Sequence, residues 1–113
     1  MTYKLDYLEF SSGDGQASQK FFTEAFGWAK TSYGPEYATI DEAGIDIGIQ
    51  SAEKRAAEPL PIIQTTDLTQ AYTDVVAAGG VIVKEPYDFP GGRRFHFREP
   101  GGNELAVWTQ ATE

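Results

Sequence analysis

The stretch GIDIGIQ, residues 44–50, alternates without a break. Ile45, Ile47 and Ile49 fall on one side of an extended chain, and Asp46, Gly48 and Gln50 on the other. That is the pattern of a β-strand with one face in a core. Upstream the period changes. Ala17, Phe21, Phe22, Ala25 and Phe26 recur at helical spacing, Asp14 stands where a cap belongs, and Gly27 is placed to end the helix in the left-handed conformation. The three phenylalanines are expected to be core. Before the helix, residues 4 to 10 read as a strand with Leu8 and Phe10 on one face and Leu5, Tyr7 and Glu9 on the other. Between helix and GIDIGIQ, two short strands are expected near 28 to 33 and 36 to 41, separated by Gly34-Pro35.

Downstream, SAEKRAAEPLP (51–61) reads as a linker with room for a turn of helix, and then the order starts again. LPIIQTT is strand-like. Asp67 or Thr69 can cap a helix whose apolar stripe is Ala71, Tyr72, Val75, Val76 and Ala78, ended by Gly79-Gly80. VIVK and RRFHF read as strands, REPGGN as a turn, and ELAVW as the last strand. The unit strand, helix, strand, strand, strand thus occurs twice with a period of about 53 to 55 residues, matching Phe22 to Val75, Gly27 to Gly80 and Trp28 to Val81. The alternative is a single α+β domain without internal symmetry.

The chain has 113 residues, the size of one compact domain, 1–113, and its 17 acidic and 9 basic residues leave a net charge of −8. The charge divides as −5 over residues 1–60 and −3 over 61–113, so neither tail stands apart. No nucleic-acid partner is expected, since the densest basic run is only Arg93, Arg94 and Arg98. With no cysteine there is no thiolate nucleophile, disulfide or cysteine-bearing metal site. Acids at Asp6 and Glu9 and the lack of a long apolar run point to a cytoplasmic protein with no membrane partner.

Three pieces, FFTEAFGW (21–28), TDLTQAY leading to VVAAGG (66–80) and FHFREPGGNELAVW (95–108), together resemble the vicinal oxygen chelate superfamily, the glyoxalase, bleomycin-resistance and extradiol dioxygenase group. The resemblance covers nearly the whole chain. It implies an α+β fold of duplicated βαβββ modules, about 1–52 and about 58–113, forming curved mixed sheets around a cavity with helices outside. It also implies a divalent ion held in that cavity by His, Gln or Glu from the first and last strands of the two modules. Carried over residue by residue, those positions fall on Tyr7, Gly48, Leu60 and Ala106, none of which is a usual ligand. The expectation is therefore no metal and no other cofactor.

The single histidine, His96, is expected on the polar face of its strand with Arg94 and Arg98; Glu99, Asp88 and Glu85 are its nearest carboxylates in sequence. Glu9 shares the face of Tyr7, and there its carboxylate can serve as a base or accept a hydrogen bond from a ligand amine or hydroxyl. Glu9 and His96 are the candidate catalytic bases. Tyr7, Glu9, Tyr37, Gly48, Leu60, Ala106 and Trp108 are the candidate substrate-binding residues, an aromatic wall with one polar handle. Trp108 reads equally well as core. The glycine pairs lack any phosphate-loop spacing, although GGRR (91–94) reads as a mobile loop with two cations that could attract a small anion at the cavity mouth.

Three functions compete: a metal-free small-molecule-binding protein of this fold; an enzyme of the same superfamily, of lyase or dioxygenase type, using Glu9 or His96 as base or non-standard metal ligands; and a module whose cavity is filled by side chains. The first is preferred, with a small organic molecule as partner. By analogy with the family, a homodimer is expected.

Overall fold

A computed structural model describes residues 3–52 and 58–111. The elements run β1 (Lys4–Ser12), α1 (Gly15–Phe26), β2 (Ala29–Ser32), β3 (Tyr37–Asp41), β4 (Asp46–Ser51), β5 (Leu60–Gln64), α2 (Leu68–Ala77), β6 (Val81–Phe89), β7 (Gly92–Arg98) and β8 (Glu104–Gln110). The βαβββ order occurs twice, as the periodicity predicts. Residues 53–57 of the expected linker lie outside the described residues. By their contacts, Tyr7–Leu60 form one compact unit, and Pro61 onward form a second together with the residues before Tyr7.

In the first unit the strand order is β2, β3, β4, β1, antiparallel except for the parallel pair β4 and β1. Asp14 caps α1, its carboxylate accepting from the Ala17 amide at 3.1 Å, and Gly27 closes it at φ 73°. One face of the sheet carries the core. Ile40, Ile47 and Ile49 are buried there against Leu8, Phe10, Phe22 and Trp28, each isoleucine contributing about 1.5–3 kcal/mol by leaving water. Ile45, expected in that row, precedes β4 and is exposed.

The helix corrects one expectation. Phe22 packs on the core, but Phe21 and Phe26 are 58% and 56% exposed. The buried residues of α1 are Gly15 and Gln19, so the face turned to the sheet is rotated from the apolar stripe by about one residue.

The second unit repeats the order as β6, β7, β8, β5, again with only β8 and β5 parallel. Asp67 caps α2 through the Gln70 amide at 3.0 Å. Leu68 and Ala71 of that helix bury Phe95, Phe97 and Val107. Phe22 and Val75 are equivalent core residues, as the offset of 53 predicts. The left-handed glycine matching Gly27 is Gly79, at φ 101°, rather than Gly80, because at that offset α2 ends two residues earlier than α1 and its cap Ala78 stands between the helix and the glycine.

GGRR is also corrected: Gly92, Arg93 and Arg94 begin β7, where the ladder with β8 leaves no mobile loop. Among the described residues, no helix is long and apolar enough to cross a membrane.

Candidate functional site

Each sheet has a face turned away from its helix, and the predicted site residues lie on these faces. In the first unit Tyr7 and Glu9 of β1 are two apart, Glu9 pairs with Gly48 of β4, and Gly48 pairs with Thr39 of β3. Tyr37, two residues from Thr39, shares its side. The structure thus brings four candidates together, Tyr7, Glu9, Tyr37 and Gly48. The hydroxyls of Tyr7 and Tyr37 hydrogen-bond to each other directly above Gly48. A Cβ at residue 48 would overlap both hydroxyl oxygens and come within 2.9 Å of Tyr7 Cε1. Burial, then the Tyr37 hydrogen bond and the charges of Glu9 and Asp46, push ionisation of Tyr7 well above the ordinary phenol range.

In the second unit two rows cross all four strands. Ile62, Ala106, His96 and Lys84 are successive partners on β5, β8, β7 and β6, and Gln64, Trp108, Arg94 and Tyr87 form the next row. Lys84 and Tyr87 are three residues apart and would face opposite ways in a regular strand. A β-bulge between them, at Glu85 and Pro86, brings both onto the His96 side. Leu60 opens β5 and is partly buried.

His96 is only 4% exposed and both its ring nitrogens are engaged. Nδ1 lies 3.0 Å from Glu104 Oε2, and Nε2 lies 2.8 Å from the Tyr87 hydroxyl, which also accepts from Arg94 Nε at 2.5 Å. The proton directions follow from donor and acceptor chemistry. An ionised Glu104 only accepts, so Nδ1 carries the proton and donates it; Nε2 then presents a lone pair, and Tyr87 donates into it. Burial is the main cause that holds the His96 pKa below its ordinary 6.5, opposed by the Glu104 hydrogen bond and reinforced by the Arg94 and Lys84 charges. Every polar atom is satisfied with the imidazole neutral.

The carboxylates nearest His96 in sequence are occupied elsewhere. Glu85 accepts from Tyr72 at 2.9 Å, Asp88 pairs with Arg93 at 2.7 Å, and Glu99 caps the following turn through the amides of Gly101 and Asn103. Glu104, at a strand start next to a turn, is the actual partner, and Tyr87 had no sequence signal beyond the proline before it. Trp108 lies on the face away from α2, partly buried, with its ring 6.2 Å from Phe89 and its indole N–H donating to Asp6 at 3.1 Å. A groove of about 280 Å³ exists on the opposite, helix side, lined by Ala71, Val75, Phe97, Pro100 and Val107, and none of these site residues reaches it.

The divalent ion of the resembled superfamily does not fit this donor set. The space over Gly48 is taken by two phenol hydroxyls, and Ala106 is fully buried against Ile62 and His96. Among the described residues, no group of three or more His, Cys, Asp or Glu side chains could hold a metal.

The model of the Glyoxalase/Bleomycin resistance protein/Dioxygenase superfamily matches residues 4–107. Among solved structures, a member of that superfamily from Vibrio splendidus 12B01 is 16% identical, with a TM-score of 0.74 over 96% of this chain and 100% of that one. A hypothetical protein from Bacillus halodurans C-125 has a TM-score of 0.81 at 11% identity, covering 100% of this chain and 98% of that one. Methylmalonyl-CoA epimerase from Mycobacterium tuberculosis has a TM-score of 0.76 at 12% identity, covering 96% and 88%. At such identities the likeness is one of fold. A search of curated proteins gave no match. With the family model spanning nearly every element of both βαβββ units, the chain belongs to the glyoxalase/bleomycin resistance protein/dioxygenase superfamily.

Proposed function

We propose that this protein is a small-molecule-binding member of its superfamily that works without a divalent metal. The observation that carries the reading is the hydroxyl pair of Tyr7 and Tyr37 above Gly48, which occupies a position where the resemblance calls for a metal ligand. The ligand is a small organic molecule. Within the first unit, Tyr7, Glu9 and Tyr37 offer aromatic surface and a carboxylate; within the second, the partly buried Trp108 offers a ring. The reading places the protein in the cytoplasm as a homodimer.

Two measurements test it. Elemental analysis after purification without chelator is expected to find no stoichiometric divalent ion, and one zinc, nickel, manganese or iron retained per chain through dialysis refutes the metal-free reading. A thermal-shift and fluorescence screen of flat amines, aromatic acids and hydrophobic antibiotics is expected to give saturable binding. Trp108→Ala should weaken it by about 1–3 kcal/mol, and Glu9→Gln should weaken cationic ligands more than neutral ones.

An enzymatic reading is favoured by one observation, the neutral His96 held between Glu104 and Tyr87. Because His96 is buried with both nitrogens engaged, any base chemistry it performs passes through the Tyr87 oxygen.

A further inference from the structure

We propose that Tyr87, His96 and Glu104 form a nucleophilic triad, with the Tyr87 oxygen as the atom that attacks a small activated ester, His96 as its general base and Glu104 as the positioning residue. This activity goes beyond ligand binding. The geometry has the three parts that nucleophilic catalysis requires. The Tyr87 hydroxyl lies 2.8 Å from His96 Nε2, within reach for proton transfer. His96 Nδ1 lies 3.0 Å from Glu104 Oε2, which fixes the tautomer so that the lone pair faces Tyr87. Arg94 Nε donates to the same phenol oxygen at 2.5 Å, and the guanidinium and the Lys84 ammonium both lie over the Tyr87 ring, at 5.6 and 5.7 Å from its centroid. Arg94 therefore stands at the oxygen where negative charge develops as the phenol loses its proton, and Lys84 faces the ring.

Tyr87 is partly exposed whereas His96 is buried, so a substrate meets the phenol oxygen and not the imidazole. The bulge at Glu85 and Pro86 is what turns Tyr87 to this side. The partly buried Trp108, in the same row as Tyr87, offers an apolar ring for the acyl group of the ester.

The chemistry balances without a further reactant. The bond from the Tyr87 oxygen to the acyl carbon forms as the bond from that carbon to the leaving oxygen breaks. The Tyr87 proton passes to His96 Nε2, and the leaving oxygen departs as the anion, so the imidazolium and the released anion balance in charge. The acyl-tyrosine is the product that the experiment reads.

The full chain incubated with 4-nitrophenyl acetate tests the assignment, with peptide mass mapping to locate acetyl groups over time. Tyr87 is expected to acetylate at least about tenfold faster than Tyr33, an internal control that is 64% exposed. His96→Gln should bring Tyr87 down to the rate of Tyr33 and leave Tyr33 unchanged, Glu104→Gln should cause a smaller loss, and Tyr87→Phe should remove the fast site. In the wild type the Tyr87 rate should fall as His96 takes up a proton, since the imidazolium cannot accept another. That pH profile decides the matter even if His96→Gln does not fold. Acetylation of Tyr87 no faster than that of Tyr33, or a Tyr87 rate without the His96 inflection, overturns the proposal.

Discussion

His96 Nδ1 and Glu104 Oε2 stand 3.0 Å apart on adjacent strands, and this contact sets the direction of the hydrogen bonds beyond it. With the Nδ1 proton committed to the carboxylate, Nε2 must accept, Tyr87 must donate to it, and Arg94 must donate to Tyr87. Protonating His96 breaks the chain, because two donors would then point at one phenol oxygen whose own proton needs a new acceptor.

Stability should therefore decline as the pH falls below 6.5, the ordinary histidine value, toward the lower folded-state value. The folded pKa is depressed, so the unfolded chain binds more protons in that window. The His96 contribution is complete above it and is lost through it. Melting temperatures from about pH 8 to about pH 5 should show this decline, and His96→Gln should flatten it. The lowered pKa values of Asp74 and Glu99 act in a separate window, below their ordinary 3.8 and 4.5. A wild-type profile flat through the histidine range would refute the assignment of His96 as buried and neutral.

Gly48→Ala should destabilise the protein by about 1–3 kcal/mol, because the new methyl overlaps the paired hydroxyls of Tyr7 and Tyr37. Tyr7→Ala removes two of the three nearest atoms, so the double variant should lose less than the sum of the single variants. Urea denaturation of the four proteins measures the coupling, and strict additivity would show that residue 48 has room.

Trp108→Phe keeps an aromatic ring but deletes the indole donor to Asp6, and should cost about 0.5–1.5 kcal/mol. Asp6→Asn can still accept through its amide oxygen and should cost less. Chemical denaturation distinguishes the two, and equal losses would mean that the charge of Asp6, rather than its acceptor role, matters.

The proposed homodimer has a natural surface in α1. Phe21 and Phe26 are exposed and in edge contact, Ala17 and Ala25 are exposed too, and such water-facing rings are costly to leave uncovered. Sedimentation equilibrium at low micromolar concentration should give about twice the 12.4 kDa chain mass, and Phe21→Asp with Phe26→Asp should return it to one. A clean wild-type monomer defeats the proposal.

The amino-acid sequence by itself determined the element order and its duplication, the cap Asp14, and the sides of β1 and β4, and it narrowed the second cap to Asp67 or Thr69, of which the structure has Asp67. These features rest on interactions within about four residues, so periodicity and side-chain chemistry report them directly. It also carried the family, since the quoted pieces at 21–28, 66–80 and 95–108 fall within the span of the matched model. Only the tertiary structure decided what touches what across strands. Tyr37 reaches Tyr7 from 30 residues away, and Glu104 rather than Glu99 meets His96, because both pairings depend on strand register. Tyr87 joins His96 through a bulge that shifts parity by one, a change that no alternating pattern can show. Phe21 and Phe26 face water for a related reason: an apolar stripe states that a helix is amphipathic, but the rotation at which it docks is set by the sheet beneath it.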